Sequence, residues 1–284
     1  MAAPLEQLAG KVAVITGAAD GIGRALAARC AEERMCLVLA DVDRARLEAA
    51  RGELEGAGAD VLACPTDVAR ATEVEALAQA TYARFGACHL LVNNAGVALG
   101  KPVWEATLED WAWILGVNLW GVIHGVRAFV PRMLASGAPG HIVNTASIAG
   151  LISPPGLGPY NVGKHGVVTL SESLHGDLQA RGAPIGVSVL CPGWVRTRIA
   201  ESERHRPAAD RTDVARLDGP AAEVGEVVAR AVEAGLPAAD VARAVLDAVH
   251  VGGFYILTHP HTKKAVQIRT GDILAGRPPT ILPF

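Results

Sequence analysis

No block of lysine or arginine interrupts this chain, and its formal net charge is only -3. A nucleic-acid backbone or an anionic membrane surface calls for a concentrated basic patch, so neither is expected as the main partner. Long apolar runs are missing too. No stretch reads as a bilayer span, and the start, MAAPLEQLAGKVAVITG, lacks a charged segment followed by an apolar stretch and a small-residue cleavage site. The expectation is a cytoplasmic protein, off the membrane, with a small-molecule partner. Cysteine is sparse: Cys30, Cys36, Cys64, Cys88 and Cys191 are odd in number and show no C-x-x-C spacing, which reads as buried thiols in a reducing compartment. There is no internal repeat and no low-complexity tract.

What is present is a core-forming chain of 284 residues, 50% of them hydrophobic. Short, continuously apolar runs (11–17, 36–41, 60–66, 89–94, 141–147 and 185–192) alternate with longer segments apolar at helical spacing. Continuous rather than alternating apolar strands belong to parallel sheets covered on both faces. The fold expected is therefore α/β: a Rossmann-type doubly wound parallel sheet of about seven strands with helices on both faces, in a single domain over 1–284. In 196–218, 11 of 23 residues are Asp, Glu or Arg, too polar to bury much of itself, so 196–235 is a candidate substrate lid. A static pair of surface helices is the plainer alternative. Two helices then follow, a last strand at 253–258, and an irregular C-terminal tail, 259–284.

After the first strand comes TGAADGIG, with Gly17, Gly21 and Gly23 opening a helix and Asp20 and Ile22 within the turn. Glycines there let a pyrophosphate approach backbone N–H groups at the positive end of the helix. The second strand ends in Asp41, placed to accept hydrogen bonds from an adenosine ribose and to repel a 2′-phosphate, which favours NAD over NADP. Arg44 and Arg46 could receive that phosphate instead, but at an exposed helix start they read as solvated charges.

Together with NNAG (93–96), Asn118 in GVNLWG, NTASIAG around Ser147, YNVGK (160–164) and PGWVRT (192–197), this order of motifs resembles the short-chain dehydrogenase/reductase family from about Gly10 to Thr197. The resemblance implies that Asp67 and Val68 meet the adenine ring and that Asn94, Ala95 and Gly96 line the adenosine ribose side. Pro192, Gly193, Val195 and Thr197 match the stretch that holds the nicotinamide carboxamide. The usual Ala-Ser between Tyr and Lys is replaced by Val162 and Gly163, which leaves the reactive groups untouched. Asp20 and Val42 occupy positions that are often basic in the family's NADP users, again favouring NAD.

Hydride exchange at an alcohol carbon requires a group that takes or gives the hydroxyl proton, and free tyrosine, titrating at about 10, needs help to do so. A nearby ammonium and a cationic nicotinamide both favour tyrosinate. Tyr160 and Lys164, four apart, share a helix face, so Lys164 can stand beside the phenol and still reach the cofactor ribose. Ser147 is expected to hydrogen-bond the substrate oxygen. The resemblance makes Asn118 the anchor of a water that relays protons from Lys164, with a helix–helix hydrogen bond as its plainer role. The expected catalytic set is Asn118, Ser147, Tyr160 and Lys164, with Trp194 walling a hydrophobic or aromatic substrate. Trp111, Trp113 and Trp120 read as packing residues. His259 and His261 have ligand-like spacing without further ligands, so no metal is expected, and His165 reads as structural.

The function expected is an NAD-dependent oxidation of a secondary alcohol or reduction of its ketone. GHIVNTASIAGL and the Trp-bearing helix are similar to those of bacterial members that handle bulky hydrophobic or aryl alcohols. An NADPH-dependent carbonyl reductase and a non-catalytic dinucleotide-sensing protein are the alternatives. The resemblance also implies a homodimer or homotetramer built through the helices of Asn118 and Tyr160 and the last strand.

Overall fold

A computed structural model describes Leu5, residues 7–207 and residues 219–282. The strands β1 (Val12–Thr16), β2 (Cys36–Asp41), β3 (Val61–Pro65), β4 (Leu90–Asn93), β5 (Gly140–Thr145) and β6 (Ile185–Leu190) fall inside the expected apolar runs, give or take a residue. Two short strands, β7 (Val195–Arg196) and β8 (Leu236–Pro237), pair only with each other, and β9 (Tyr255–Ile256) closes the main sheet. That sheet has seven strands in the order β3-β2-β1-β4-β5-β6-β9, every pair parallel. This is the doubly wound α/β fold expected.

Successive side chains of β1 divide between two cores, as a strand buried on both faces must. Ala13 and Ile15 join one cluster with Leu26 and Cys30 of α1 (Gly21–Glu32), Leu47 and Leu54 of α2 (Arg44–Gly56), and Val245 and Val249 further along the chain. Val12 and Val14 join the other with Val74 and Leu77 of α3 (Ala71–Phe85) and with later helices. The strand order reverses between β2-β1 and β4-β5. A crevice opens at that switch point beyond the C-terminal ends of the strands, where open α/β sheets take ligands.

The run from Leu108 to Ser136 corrects one expectation. It is continuous: α4 (Leu108–Leu115), a single π-turn (Gly116–Trp120) and α5 (Gly121–Ser136). It runs for 29 residues and contains an 18-residue window of mean hydropathy 1.3, long and apolar enough, by length and composition, to cross a bilayer. Ile114, Val122, Phe129 and Met133 spend that apolar character on the protein core.

Then come α6 (Gly158–Ala180), α7 (Gly219–Glu233) and α8 (Ala238–Val251), the last two being the pair of helices expected there. The irregular tail is the second correction. Residues Thr262–Leu274 form a helix, α9, whose apolar residues, Ala265, Val266, Ile268, Ile273 and Leu274, share no single face, so the sequence carries little helical periodicity there. Of the proposed lid, 196–207 is β7 followed by a 3-10 helix, Ile199–His205, and 219–235 is mostly α7, while 208–218 lies outside the described residues.

Candidate active site

A cavity of ≈ 940 Å³ occupies the switch-point crevice. One half of it is built by strand ends. The Asp20 side chain caps α1 by accepting from Gly21 N at 2.7 Å. Gly17 has φ +65°, and a Cβ on Gly23 would stand 2.1 Å from Gly17 O, so a side chain at that position would wreck the turn. Asp41, at the end of β2, accepts from Ala19 N through Oδ2 and from Asp43 N through Oδ1, both at 3.0 Å. Two backbone donors hold its carboxylate at the cavity wall. Asn94 ties β4 to β1: its amide donates to Thr16 O at 3.0 Å, and its N–H donates to Thr16 Oγ1 at 2.9 Å. Asp67 and Val68 line the same half.

Ser147, Tyr160 and Lys164 meet on the cavity wall at the junction of the two halves. Ser147 follows β5 and caps a short 3-10 turn (Ile148–Gly150). Its hydroxyl accepts from Ala149 N at 3.1 Å and donates to Pro192 O at 3.4 Å. Pro159 in the first turn of α6 fixes the helix start and brings Tyr160 over the crevice. Lys164 lies one turn on, almost completely buried. Its Nζ donates to Thr145 O at 2.9 Å and stands 5.6 Å from the centre of the Tyr160 ring.

Burial pushes the Lys164 ammonium down to about 8, the nearby Cys191 thiol working the other way. Burial pushes the Tyr160 phenol up, and a hydrogen bond from Ser147 pulls it back. The lowering of the phenol by Lys164 expected from the sequence is thus absent from this arrangement. Desolvation outweighs an ammonium that is already spent on a carbonyl.

The Asn118 side chain does not itself line the cavity. It is fully buried in the π-turn, where its Oδ1 accepts from Val97 N at 2.9 Å and its Nδ2 donates to Val97 O at 2.8 Å. Both polar ends are occupied in clamping the loop that follows β4. A π-turn of this kind inserts one extra residue and often marks a functional position. Gly23 likewise supports the loop from behind instead of lining the space.

Arg46, expected to be a solvated charge, lines the cavity, 3.4 Å from Asp20 and 3.6 Å from Asp43. Arg198 and Arg204, from the segment after β7, approach the same Asp20 carboxylate at 3.7 and 3.9 Å. That segment is pinned from behind. Ser202 Oγ accepts from Ala98 N at 3.0 Å, and the buried Arg206 guanidinium donates to Asp110 at 2.6 Å. Lys101 reaches the same carboxylate at 2.8 Å, and Arg206 stacks on Trp113, 5.1 Å away. The first half of the proposed lid thus forms part of the cavity wall and bonds to the loop after β4 and to α4.

The other half of the cavity is mostly apolar. Ile152, Leu157, Trp194, Val228 and Val232 line it, and the C-terminal segment supplies His261, Lys264, Ala265 and Ile268 at i, i+3, i+4 and i+7, one helix face. Trp113 and His261, both expected to be uninvolved, belong to this lining, and Lys264 and Ile268 carry no sequence signal at all. His165 is as expected, its Nδ1 bonded to Asn161 O at 2.9 Å. Among the described residues no three His, Cys, Asp or Glu side chains converge as a metal-binding group. The five cysteines are free thiols, Cys30 being pushed by burial up to about 12.

A parallel doubly wound sheet with a glycine loop, a strand-two carboxylate and a Ser-Tyr-Lys group around one crevice defines a dinucleotide-binding class of protein. Comparisons narrow the class. The family profile described as short chain dehydrogenase matches residues 11–208. A crystal structure of a short-chain dehydrogenase/reductase from Burkholderia phymatum, in complex with NAD, superposes with a TM-score of 0.95 at 48% identity, covering 98% of this chain and 99% of the other. The CLA biosynthesis dehydrogenase/reductase of Lactiplantibacillus plantarum is 33% identical over 273 residues, 95% of this chain and 96% of that one. The 1-deoxy-11-beta-hydroxypentalenate dehydrogenase of Streptomyces avermitilis is 37% identical over 262 residues, 92% and 87% of the two chains. The chain belongs to the short-chain dehydrogenase family, and it is an oxidoreductase of that family's alcohol dehydrogenase type.

Proposed function

We propose that the protein exchanges a hydride between NAD and a hydrophobic secondary alcohol or its ketone, with Tyr160 as the proton acceptor and donor. The observation that carries this reading is the meeting of Ser147, Tyr160 and Lys164 on one cavity wall with the glycine loop and Asp41 on the adjoining wall. The residues fit a dinucleotide. The cradle of Gly17 and Gly23 has no room for side chains, and the N-terminus of α1 presents N–H groups to an anion.

When bound, the nicotinamide supplies the carbon that accepts or returns the hydride. Everything else falls to this chain. Ser147 Oγ holds the substrate oxygen, and Tyr160 Oη takes its proton in oxidation and returns it in reduction. Lys164 holds positive charge next to the phenol, where a tyrosinate needs it. Lys164, held by Thr145 O, would also be the residue to hold the cofactor ribose. Asn118 holds the Val97 loop and so the floor beneath Lys164. Pro192, Gly193, Val195 and Thr197 take the carboxamide end, Asp67, Val68, Asn94, Ala95 and Gly96 the adenosine end. Trp194, with Ile152, Leu157 and Val232, supports an apolar or aromatic substrate.

NAD is favoured by Asp41, whose charge faces the space a 2′-phosphate would need, and by Arg46, already committed to Asp20 and Asp43. The test is initial rates with NAD and with NADP over a panel of hydrophobic secondary alcohols. We expect kcat/KM to favour NAD at least about tenfold, the equivalent of ~1.4 kcal/mol. A preference for NADP would overturn the reading of Asp41 and make the protein a carbonyl reductase of the NADPH type. Exposed Trp120, Val162 and Tyr255 support a subunit contact through the helices of Asn118 and Tyr160 and the last strand, and hence a dimer or tetramer.

A further inference from the structure

His259 takes no part in the chemistry above, yet it is bonded at two points to the stretch assigned to the carboxamide. Its ring lies in the turn between β9 and α9, almost fully buried. Gly193 N–H donates to its Nδ1 at 3.0 Å, and its Nε2 donates to Trp194 O at 3.0 Å. A backbone N–H can only donate and a carbonyl can only accept. The partners therefore fix the tautomer, with bare Nδ1 and protonated Nε2. A Cβ on Gly193 would stand 3.0 Å from the imidazole, so the ring packs directly on that glycine. From the opposite side, Ile148 N donates to Pro192 O at 2.8 Å and Ser147 Oγ reaches the same oxygen. The three residues 192–194 are thus held between the catalytic serine and one imidazole.

We infer that His259 is a positioning residue for the nicotinamide half of the cofactor: by bonding both Gly193 N–H and Trp194 C=O it sets the 192–194 backbone at the place where the ring must lie. The inference rests on the proposed cofactor reading. It gives the C-terminal segment a second task besides walling the substrate space, since the His259 that grips the loop stands just ahead of α9. Small displacements of a ring that must present one carbon to the substrate are costly, an error of 1 Å being worth about 10²-fold in rate.

The grip needs neutral imidazole, because a proton on Nδ1 would oppose the Gly193 N–H. Burial holds His259 below the usual histidine range, with the Trp194 carbonyl pulling it up and neighbouring His261 pushing it down. His261, 5.5 Å away, is the ionisable neighbour on the α9 side. Gly193 and Trp194 face the ring with backbone, and Thr258 faces Nδ1 with a neutral hydroxyl at 2.9 Å. A group lowered in this way keeps its bound arrangement above its pKa and loses it as pH falls through a value below 6.5.

The experiment compares wild type, His259→Phe and His259→Asn, the last retaining an acceptor where Nδ1 lies. Two affinities are measured by fluorescence titration, for NADH and for ADP-ribose, which lacks the nicotinamide, together with kcat. We expect His259→Phe to weaken NADH binding and lower kcat, each about 10-fold or more, with ADP-ribose affinity unchanged. The Asn variant should recover part of the loss. In wild type the NADH affinity alone should fall as acidification carries the pH through the lowered His259 value, and in the Asn variant it should stay flat. NADH affinity and kcat unchanged in the Phe variant would overturn the inference, as would equal losses for NADH and ADP-ribose, which mean general loosening. Should the Phe variant not fold, the pH series on wild type and the Asn variant decides alone. Wild type that binds neither NADH nor ADP-ribose would refute the cofactor reading itself, a different outcome from NADH binding that ignores His259.

Discussion

Replacing Tyr160 by Phe is expected to lower kcat by about 10²–10⁴-fold while leaving NADH affinity within about twofold. The substitution keeps the ring on α6 and removes only the oxygen that exchanges a proton with the substrate. The phenyl ring still fits beside Lys164, whose Nζ is held by Thr145 O and does not depend on the phenol. Binding and chemistry should therefore separate. Steady-state kinetics on the purified variant, with NADH titrated by fluorescence, read both. Turnover near that of wild type would remove Tyr160 from the mechanism. Burial pushes the phenol up, and the Ser147 hydrogen bond pulls it back.

The second large effect concerns stability. Asp110→Ala should destabilise the protein by about 3 kcal/mol, because it takes one carboxylate from the buried Arg206, which keeps Glu203, and from the partly buried Lys101. The same residue closes the capping box at the start of α4: Asp110 Oδ2 accepts from Thr107 N at 3.0 Å, and Asp110 N donates to Thr107 Oγ1 at 3.2 Å. A drop in Tm of roughly 10 °C is expected, and Asp110→Asn, which keeps one acceptor, should lose less. The pH dependence has a definite sign. Burial works against the Asp110 carboxylate, but Lys101, the Thr107 N–H and Arg206 together hold it below the usual carboxylate range. Its contribution is then complete above the ordinary carboxyl value of about 4 and is lost as pH falls through the lower folded value. The Tm difference between wild type and Asp110→Ala should accordingly shrink on acidification below about pH 4. An unchanged Tm at neutral pH would show that this network adds nothing.

Much of the sheet is legible in the sequence because each parallel strand must be apolar on both faces, as β1 and β2 are, and a short unbroken apolar run between turn residues fits little else. The dinucleotide half of the site is legible for a similar reason. Glycines at 17, 21 and 23 and an acid at the end of β2 are demands of backbone geometry and written locally. The substrate half is not. α9 presents only a narrow stripe to the cavity, and its sequence mixes lysines, an arginine and apolar residues that share no single face, so no periodicity announces a helix. His259 grips a loop that is 66 residues away in sequence, a relation that no local pattern encodes. Asn118 stands out in the sequence as a polar residue in an apolar helix, but its partner, Val97, lies on a different element. Arg198 and Arg204 belong, in sequence, only to a charged run. Their approach to Asp20 depends on how the chain turns after β7.

The most direct test follows the hydride itself. A secondary alcohol that supports NAD reduction, deuterated at its carbinol carbon, is oxidised by the wild-type protein, and the reduced cofactor is examined by mass spectrometry and proton NMR. Stoichiometric transfer of the deuterium to the nicotinamide ring is the expected result, with a matching loss of rate in Tyr160→Phe. NADH binding without any hydride transfer, across a broad set of hydrophobic alcohols and ketones, would contradict it and point to a protein that senses the dinucleotide without catalysis.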